Sequence, residues 1–539
     1  MKLLKTNLVL LSALLISSCC GTPEVKSYNE GINIIPSPQS LIQTSEERFT
    51  LSPKSSIMAQ GEQATTVAEF FASKIKASTG YNINVSENDS DIELVIDSTV
   101  SPSQEGYTLS VTADKVKVVG ASAAALFYGM QSFMQLLPAE IENPTKVTRI
   151  AWSAPAVEIA DAPRFDYRGI MFDSGRHFIE VDFLKKQLDL LALFKINRMH
   201  WHLTEDQGWR VEIKKYPLLT EIGSVRHNPE GGTHSGFYTQ DEIREVVAYA
   251  AERFITVIPE FELPGHELAA ISAYPHLSCN NDKVTPRLTA GVEPIVMCPG
   301  KPTTFEFIED VIAELAPLFP SEYFHIGGDE CFKEMWEKCP LCQEFIRKND
   351  LQAKDGHSAE ERLQSYVVHY AEQVLKKHNK RLIGWDEILE GGLSQTATVM
   401  SWRGEKGGIA AAKMGRNVIM SPQTEGMYIN FFQGDFRIEP VTISGNVPLS
   451  KTYSYNPVPE ELRGTDQEHF ILGAQANLWS EYMYTPELVE YQAYPRVMAL
   501  AEVGWTQTSV KDIDDFYRRL NNAYVRLAAY DINYYIAQP

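Results

Sequence analysis

The sequence has 539 residues, of which 49 are lysine or arginine and 70 are aspartate or glutamate, so its formal net charge is −21. Binding to nucleic acid or to an anionic membrane face needs a basic surface, and this acidic balance therefore argues against both partners. The length allows several domains, although one barrel can take up more than half of such a chain.

The first residues are typical of an export signal. A basic start precedes an apolar run over residues 8–16, which is too short to span a bilayer as a stable helix. The four residues that end at Cys19 resemble the bacterial lipobox, which implies a lipoprotein signal peptide over 1–18 and a lipid attached to Cys19. An ordinary cleaved signal is the alternative. We expect an exported protein that this N-terminal lipid anchors to a membrane of the bacterial cell envelope, at the outer membrane.

Residues 19–160 form the predicted first domain. Helix patterns cover 64–78 and 122–137, and strand patterns cover 92–96, 107–111 and 116–119. Strands and helices in this order predict a small α+β domain. Nothing in it points to catalysis, and all eight tryptophans lie after residue 150, so the chain changes character near that position.

Residues 161–539 form the predicted second domain, in which short apolar strand patterns alternate with longer helix patterns. The strand patterns cover 169–172, 198–203, 256–261, 323–326, 381–385, 398–402, 417–421 and 471–478. Eight strands with intervening helices predict a (β/α)8 TIM barrel, so the fold class is α/β with a small α+β domain in front. In such barrels the active site lies at the C-terminal ends of the strands.

Polar and aromatic side chains recur at the ends of these predicted strands. In chain order they are Asp173, Arg176, His202, Glu205, Asp206, Glu260, Glu262, His266, Asp329, Glu330, Trp385, Asp386, Trp402, Trp479 and Glu481. Each type alone is ordinary, because an aromatic is usually core and an arginine usually solvated. Together they predict a sugar pocket, since an indole face covers the C–H face of a pyranose while acids and arginine bind its hydroxyls.

The adjacent carboxylates Asp329 and Glu330 follow an apolar strand pattern and two glycines. Their mutual repulsion leads us to expect a raised pKa on one of them, which an acid catalyst needs. A glycine turn with two solvated acids is one alternative. A diguanylate cyclase is another, but its Gly-Gly-Asp-Glu signature continues with an aromatic residue, whereas Cys331 follows here. The third interpretation is a glycosidase acid.

Seven cysteines occur in the sequence. In an oxidising compartment Cys279 could pair with Cys298, and two of Cys331, Cys339 and Cys342 could pair, but the sequence leaves the connectivity open. The spacing of the last three is also a weak zinc signal, because no histidine lies at a fitting distance. We therefore favour disulfides or free structural thiols over a metal, and we expect no metal and no cofactor.

A series of short strings runs through the second domain in a fixed order. They are Arg168-Gly169 with Asp173 and Arg176, His200-Trp201-His202-Leu203 with Asp206-Gln207-Gly208-Trp209, Pro264-Gly265-His266, His325-Ile326-Gly327-Gly328-Asp329-Glu330, Gly384-Trp385, Ser401-Trp402, Asn477-Leu478-Trp479 with Glu481, and Pro495-Arg496. This series resembles glycoside hydrolase family 20, the β-N-acetylhexosaminidases, over most of residues 160–505. The resemblance implies an exo-acting enzyme that removes terminal β-linked N-acetylglucosamine or N-acetylgalactosamine from glycans.

In that family the substrate's own 2-acetamido oxygen is the nucleophile and the anomeric configuration is retained. The resemblance implies that Glu330 protonates the leaving oxygen and later activates water. It also implies that Asp329 orients the acetamido N–H and stabilises the oxazolinium intermediate. Two alternatives stay open. One is a glycan-binding lipoprotein without catalysis, and the other is a retaining glycosidase with Glu262 or Glu481 as nucleophile.

The resemblance also implies contacts around the sugar ring. Arg176 and Glu481 are expected to bind its outer hydroxyls. Trp385, Trp402 and Trp479 are expected to form walls around the acetamido methyl group and the ring.

Four further positions carry over from the same resemblance. Asp206 and His266 are expected to support the residues that touch the sugar, and Tyr428 to hydrogen-bond the acetamido oxygen. Relatives commonly have Asp where this chain has Asn430, and that Asp faces the C6 hydroxyl. Since neutral Asn430 would not repel a 6-sulfate, we expect tolerance of 6-sulfated N-acetylglucosamine. The alternative is that Asn430 is a neutral sequence change at a residue that only contacts the hydroxyl group.

Overall fold

A computed structural model describes residues 31–227 and 232–538. The predicted signal peptide and Cys19 lie outside the described residues. Within these two ranges, no helix combines the length and apolar character needed to cross a membrane.

The first domain is a mixed sheet with two helices packed on it. Its elements are β1 (Ser40–Thr50), β2 (Ser56–Ala59), α1 (Glu62–Thr79), β3 (Asn84–Ser86), β4 (Ile92–Ile96), β5 (Tyr107–Val111), β6 (Val116–Gly120), α2 (Ala123–Leu136) and β7 (Ser153–Asp161). The sheet order is β1-β7-β5-β6-β4-β2-β3, antiparallel from β1 to β6 and parallel from β6 to β3. Buried and partly exposed residues alternate along β5, as expected for a sheet that is covered on one face.

The second domain is built on a closed barrel of parallel strands. Its strands are β8 (Tyr167–Asp173), β9 (Arg198–His202), β10 (Thr204–Glu205), β11 (Gly208–Trp209), β12 (Arg226–His227), β13 (Thr233–His234), β14 (Thr256–Glu260), β15 (Tyr323–His325), β16 (Arg381–Trp385), β17 (Thr398–Ser401), β18 (Val418–Met420) and β19 (Ile471–Leu478). The barrel consists of β8, β9 and β14 to β19, and β19 closes it by pairing with β8. All residues of β8 are buried, because helices cover the outside of such a sheet while side chains fill its inside.

Helices connect the barrel strands and also follow the last of them. They are α3 (Val181–Leu193), α4 (Leu218–Glu221), α5 (Gln240–Ala251), α6 (Leu268–Ala273), α7 (Pro302–Leu315), α8 (Glu334–Lys338), α9 (Pro340–Lys348), α10 (Ala359–Lys377), α11 (Lys406–Lys413), α12 (Leu449–Ser454), α13 (Pro486–Ala493), α14 (Arg496–Trp505) and α15 (Ile513–Ala529). Helices α5 and α10 begin at capping boxes, and α7 and α9 begin with proline, which fits the first helical turn. The predicted TIM barrel with a preceding small domain is confirmed.

Ion pairs of the buried residues Arg168 and Lys195 join the two domains. Arg168, near the start of β8, pairs with Glu105 at 2.7 Å, and Lys195, just before β9, pairs with Asp161 at 3.1 Å. Buried charges need such partners, because leaving one unpaired is strongly destabilising. The first domain therefore contacts the barrel near the N-terminal ends of its strands, away from the edge where the predicted site residues lie.

Candidate active site

The loop after β15 carries the adjacent carboxylates and depends on two glycines. Gly327 and Gly328 have φ angles of 65° and 97°. A Cβ on Gly327 would lie 1.7 Å from the Glu262 carboxylate, and one on Gly328 would lie 2.8 Å from a neighbouring side chain. Only glycine satisfies both the backbone angles and the close contacts. The turn places Asp329 and Glu330 at the C-terminal edge of the barrel.

His266 connects this pair to the interior of the barrel. Its Nε2 lies 3.5 Å from Asp329 Oδ2 and 3.6 Å from Glu330 Oε2, while its Nδ1 lies 2.7 Å from Glu205 Oε1. Burial alone would lower the pKa of His266, but the charges of Glu205 and Asp329 raise it well above its usual range. A positively charged imidazolium therefore lies between Glu205 and the carboxylate pair.

The raised pKa expected of an acid catalyst is not found at Glu330. The imidazolium of His266, whose Nε2 lies 3.6 Å from Glu330 Oε2, lowers the pKa of Glu330, and this effect exceeds the opposing effect of partial burial. The Glu330 side chain is 42% exposed, so water also solvates its charged form. The sequence reveals neither the position of His266 nor this exposure, which is why the expectation was wrong for Glu330.

Asp329 has an oxygen that is free to accept a hydrogen bond from a ligand. The residue is only 7% exposed, and its Oδ1 has no hydrogen-bond partner among the described residues. An unpaired buried acceptor is costly, so such an atom in a site favours a ligand that donates to it. Burial and the charge of Asp329 raise the pKa of nearby Glu387 to about 9, which reduces the negative charge around Asp329.

Arg176 lies among three carboxylates. Its Nη1 is 3.2 Å from Asp173 Oδ2, its Nη2 is 3.1 Å from Glu205 Oε2, and its Nε is 3.6 Å from Glu481 Oε1. In the described part of the chain, Arg176 Nε and Glu481 Oε2 are buried and make no hydrogen bond. A donor and an acceptor therefore stand side by side, as binding of a sugar hydroxyl requires.

The predicted aromatic residues come together in one enclosure. The ring centroids of Trp385 and Trp479 are 5.6 Å apart, and Tyr428 lies 6.3 Å from Trp479. Trp402 stacks on Tyr428 at 6.1 Å with only 12° between the ring planes. Burial and the charge of Asp329 raise the pKa of Tyr428 well above its usual range, so its hydroxyl keeps its proton. The enclosure therefore offers apolar faces and one hydroxyl donor beside Asp329.

Glu260 contacts four of the site's aromatic and histidine side chains, a role that the sequence did not indicate. Its Oε1 accepts a hydrogen bond from Trp385 Nε1 at 2.9 Å and lies 2.7 Å from His325 Nδ1, while its Oε2 lies 2.9 Å from His200 Nε2 and also contacts His202. Burial would raise the pKa of Glu260, but the three histidines hold it well below its usual range. Its position at the end of β14, like that of Glu205 after β9, had placed it among the predicted pocket residues, but the contacts with three histidines appear only in the structure.

Asp206 supports the site through the backbone. It is fully buried, and its two carboxylate oxygens accept hydrogen bonds from the N–H groups of Leu268 at 3.0 Å and Glu293 at 2.8 Å. Both donors belong to the long loop after β14 that carries His266. Asp206 therefore fixes the loop that positions His266.

Asn430 lies in a segment that is held by buried hydrogen bonds. Arg496 donates to the carbonyls of Ile429 at 2.7 Å and Phe431 at 3.0 Å, on either side of Asn430. Asn430 is 4% exposed, and its Oδ1 has no partner among the residues that the structure describes. The backbone is thus fixed, while the side-chain amide oxygen remains able to accept from a ligand.

A separate group of thiols could hold a metal. The sulfurs of Cys279, Cys298, Cys339 and Cys342 all lie within 4.8 Å of one another. The pairing of Cys279 with Cys298 is not made, since the five cysteines of the described part are free, and Cys331 is not part of the cluster. The cluster combines cysteines that the sequence had placed in two separate groups.

Comparison with known proteins identifies the family. Residues 165–508 match the family model for the catalytic domain of glycosyl hydrolase family 20, and residues 31–162 match that for domain 2 of the same family. A β-hexosaminidase from Porphyromonas gingivalis is 51% identical over 98% of this chain and 68% of its own length.

Solved structures agree with this assignment. A family 20 exo β-N-acetylglucosaminidase from Vibrio harveyi, in complex with N-acetylglucosamine, has a TM-score of 0.83 at 30% identity and covers 94% of this chain and 78% of its own. A family 20 β-N-acetylhexosaminidase from Streptomyces coelicolor has a TM-score of 0.82 at 28% identity and covers 94% of this chain and 98% of its own. The chain therefore belongs to glycosyl hydrolase family 20 and is a glycoside hydrolase of the β-hexosaminidase kind.

Proposed function

We propose that this enzyme removes terminal β-linked N-acetylglucosamine or N-acetylgalactosamine with retention of configuration, using the acetamido oxygen of the substrate as nucleophile. The observation that carries the proposal is the buried, unpartnered Oδ1 of Asp329 beside the aromatic enclosure. An acetamido N–H that donates to this oxygen, together with a hydroxyl donated by Tyr428, would aim the acetamido oxygen at the anomeric carbon. The Vibrio harveyi enzyme, described as exo-acting and solved with N-acetylglucosamine, supports a terminal sugar as substrate.

Glu330 supplies the proton transfers in this mechanism. Its partly exposed carboxyl group gives a proton to the leaving oxygen as the bond to C1 breaks, while the acetamido oxygen bonds to C1. Ionised Glu330 then takes a proton from water, whose oxygen attacks C1 and reopens the oxazolinium ring. Two inversions at C1 retain the β configuration. The imidazolium of His266, 3.6 Å from Glu330 Oε2, stabilises the ionised form between the two steps.

A protein nucleophile is less consistent with the electrostatics of the site. Glu262 is fully buried, and burial followed by the charges of Asp329 and Glu260 raises its pKa well above the usual range. Burial also raises the pKa of Glu481. A raised pKa favours the neutral carboxyl group, which is a poor nucleophile. Both alternative nucleophiles are therefore biased toward the wrong protonation state.

Asp329→Asn tests the role of the acetamido partner. We expect kcat to fall by about 10²–10³-fold, which is the usual effect of losing one group that stabilises developing charge. The defect should be the same for good and poor leaving groups. The reason is that Asp329 acts on the acetamido group and not on the departing oxygen. The measurement is steady-state hydrolysis of aryl N-acetyl-β-glucosaminides, with proton NMR of the first-formed anomer. Asp350→Asn, at an exposed loop carboxylate, is the matched control. Near-normal turnover by Asp329→Asn would contradict the proposal.

We also propose that the site tolerates 6-sulfated N-acetylglucosamine, because neutral Asn430 replaces an acidic residue common in relatives. Asn430→Asp should lower the ratio of sulfated to unsulfated kcat/KM by at least about tenfold, since two like charges a few ångströms apart cost more than 1.4 kcal/mol unless fully solvated. Asn446→Asp, which adds the same charge at an exposed position, should leave the ratio unchanged. An unchanged ratio in Asn430→Asp would mean that Asn430 is a neutral sequence change at a residue that contacts the C6 hydroxyl, without effect on the tolerance of a 6-sulfate.

A further inference from the structure

Four cysteines from two neighbouring loops converge outside the sugar site. Cys279 and Cys298 belong to the loop between α6 and α7, while Cys339 and Cys342 lie at the start of α9, in the connection after β15. The sulfur of Cys298 is 3.8 Å from that of Cys339 and 3.5 Å from that of Cys342, and the sulfur of Cys279 is 3.8 Å from that of Cys342. Cys298, Cys339 and Cys342 are buried.

These separations match a tetrahedral metal site. Four thiolates at the usual zinc–sulfur distance of about 2.3 Å form a tetrahedron whose edges are about 3.8 Å long. These three sulfur–sulfur separations run from 3.5 to 3.8 Å, and all four sulfurs lie within 4.8 Å of one another. Bonded sulfurs would lie only about 2.05 Å apart. The arrangement is therefore one group of four and not two separate pairs.

Gly300 lies where the two cysteine loops meet beside the cluster. A Cβ on Gly300 would lie 2.4 Å from the carbonyl carbon of Leu341 and 2.5 Å from the nitrogen of Cys342, so the two cysteine loops pack backbone against backbone here. This close contact fixes the relative positions of the two loops that carry the four sulfurs.

Apolar packing encloses the remaining side of the cluster. Three of the four cysteines pack in a buried group with Val296, Trp336 and Ile346. Four neutral thiols are weak donors and acceptors, and neighbouring thiols oxidise readily in an oxidising compartment. A metal that binds all four thiolates satisfies them and removes the free thiols.

We propose that these four cysteines bind one structural Zn²⁺ that joins the loop after β14 to the loop after β15. Binding releases the four thiol protons and leaves a closed four-sulfur site without an open position for substrate or water, so the ion does not take part in hydrolysis. The joined loops carry His266 and the carboxylate pair. They already touch near the pair, because a Cβ on Gly265 would lie 3.2 Å from the carbonyl oxygen of Asp329. The ion therefore holds the acid loop and the histidine loop together.

Metal analysis of the full chain, purified without chelators, tests this proposal. We expect about one zinc per chain in the wild-type protein and in Cys331→Ser, which removes a buried thiol outside the cluster. Cys342→Ser should lose the zinc and unfold at a lower temperature. Since that variant could also fail to fold, the wild-type protein is titrated with a mercurial thiol reagent while a zinc-sensitive dye reports release. Zinc should be released as four thiols react.

Other results would overturn the proposal. The first is a protein that contains no zinc and whose thiols react freely. The second is a protein that contains no zinc and whose mass shows two disulfides. A third is full zinc content in folded Cys342→Ser, which would place the ion elsewhere. Iron in place of zinc would overturn the assignment of the metal, because a tetrahedral four-sulfur site also accepts iron. A cobalt-substituted protein gives an independent readout: thiolate-to-cobalt charge-transfer bands and intense tetrahedral bands are expected, and their absence would exclude the four-sulfur ligand set.

Discussion

Nitrophenyl β-glucoside is expected to be hydrolysed at least about 10⁵-fold more slowly than nitrophenyl N-acetyl-β-glucosaminide, because a well-positioned intramolecular nucleophile contributes an effective molarity of about 10⁵–10⁸ M. The glucoside lacks the acetamido group that would donate to Asp329 Oδ1 and attack C1. It retains the hydroxyls that Arg176 and Glu481 would bind. The loss should therefore appear mainly in kcat, measured by release of nitrophenol from the full chain.

A binding control separates this effect from weak affinity. Glucose and N-acetylglucosamine are compared as competitive inhibitors, and a small difference between their inhibition constants assigns the loss to the chemical step. Comparable turnover of the two substrates would contradict acetamido participation. It would mean that a protein carboxylate, Glu262 or Glu481, is the nucleophile. A covalent sugar on one of these residues should then be detectable by mass spectrometry.

Local patterns in the sequence were sufficient to predict the barrel. Strands such as β8 and β16 are short apolar runs between longer helix patterns, and the polar residue that follows each run marks its C-terminal end. Because parallel strands in a barrel end at the same edge, Arg176, Glu330 and Trp385 were expected to meet although they are far apart in the chain. Trp385, Trp402, Tyr428 and Trp479 likewise lie together in the structure, although they are far apart in the chain.

Properties that depend on contacts between loops were not predictable from local patterns. The lowered pKa of Glu330 results from His266, which lies 64 positions earlier in the chain. The thiol cluster brings Cys279 close to Cys342, which belongs to a different loop. The number of residues between the two cysteines does not indicate this proximity. The central position of Glu205 between Arg176 and His266 likewise depends on three different loops. Spacing in the sequence carries no information about such pairs unless a turn or a helix fixes it.

Glu330→Gln should lower kcat/KM by about 10²–10⁴-fold on substrates with poor leaving groups, which is the usual contribution of general acid catalysis. The defect should shrink toward wild-type activity on a dinitrophenyl leaving group, because that group departs without a proton. The amide keeps the size of the side chain but cannot supply the proton. The measurement is a series of aryl N-acetyl-β-glucosaminides that differ in the acidity of the phenol, with Glu334→Gln as a control at an exposed carboxylate of the same connection.

The pH dependence gives a second test of the same role. A general acid acts in its protonated form, so activity falls as pH rises through the pKa of Glu330. In the free enzyme His266 lowers that pKa, and a sugar that displaces water from the half-exposed carboxyl group disfavours the ionised form and raises it. The alkaline limb in kcat, which reports the complex, should therefore lie at higher pH than the limb in kcat/KM, which reports the free enzyme. Glu330→Gln should abolish this limb on poor leaving groups. An equal defect on every leaving group, with the limb retained, would assign the proton to a different residue.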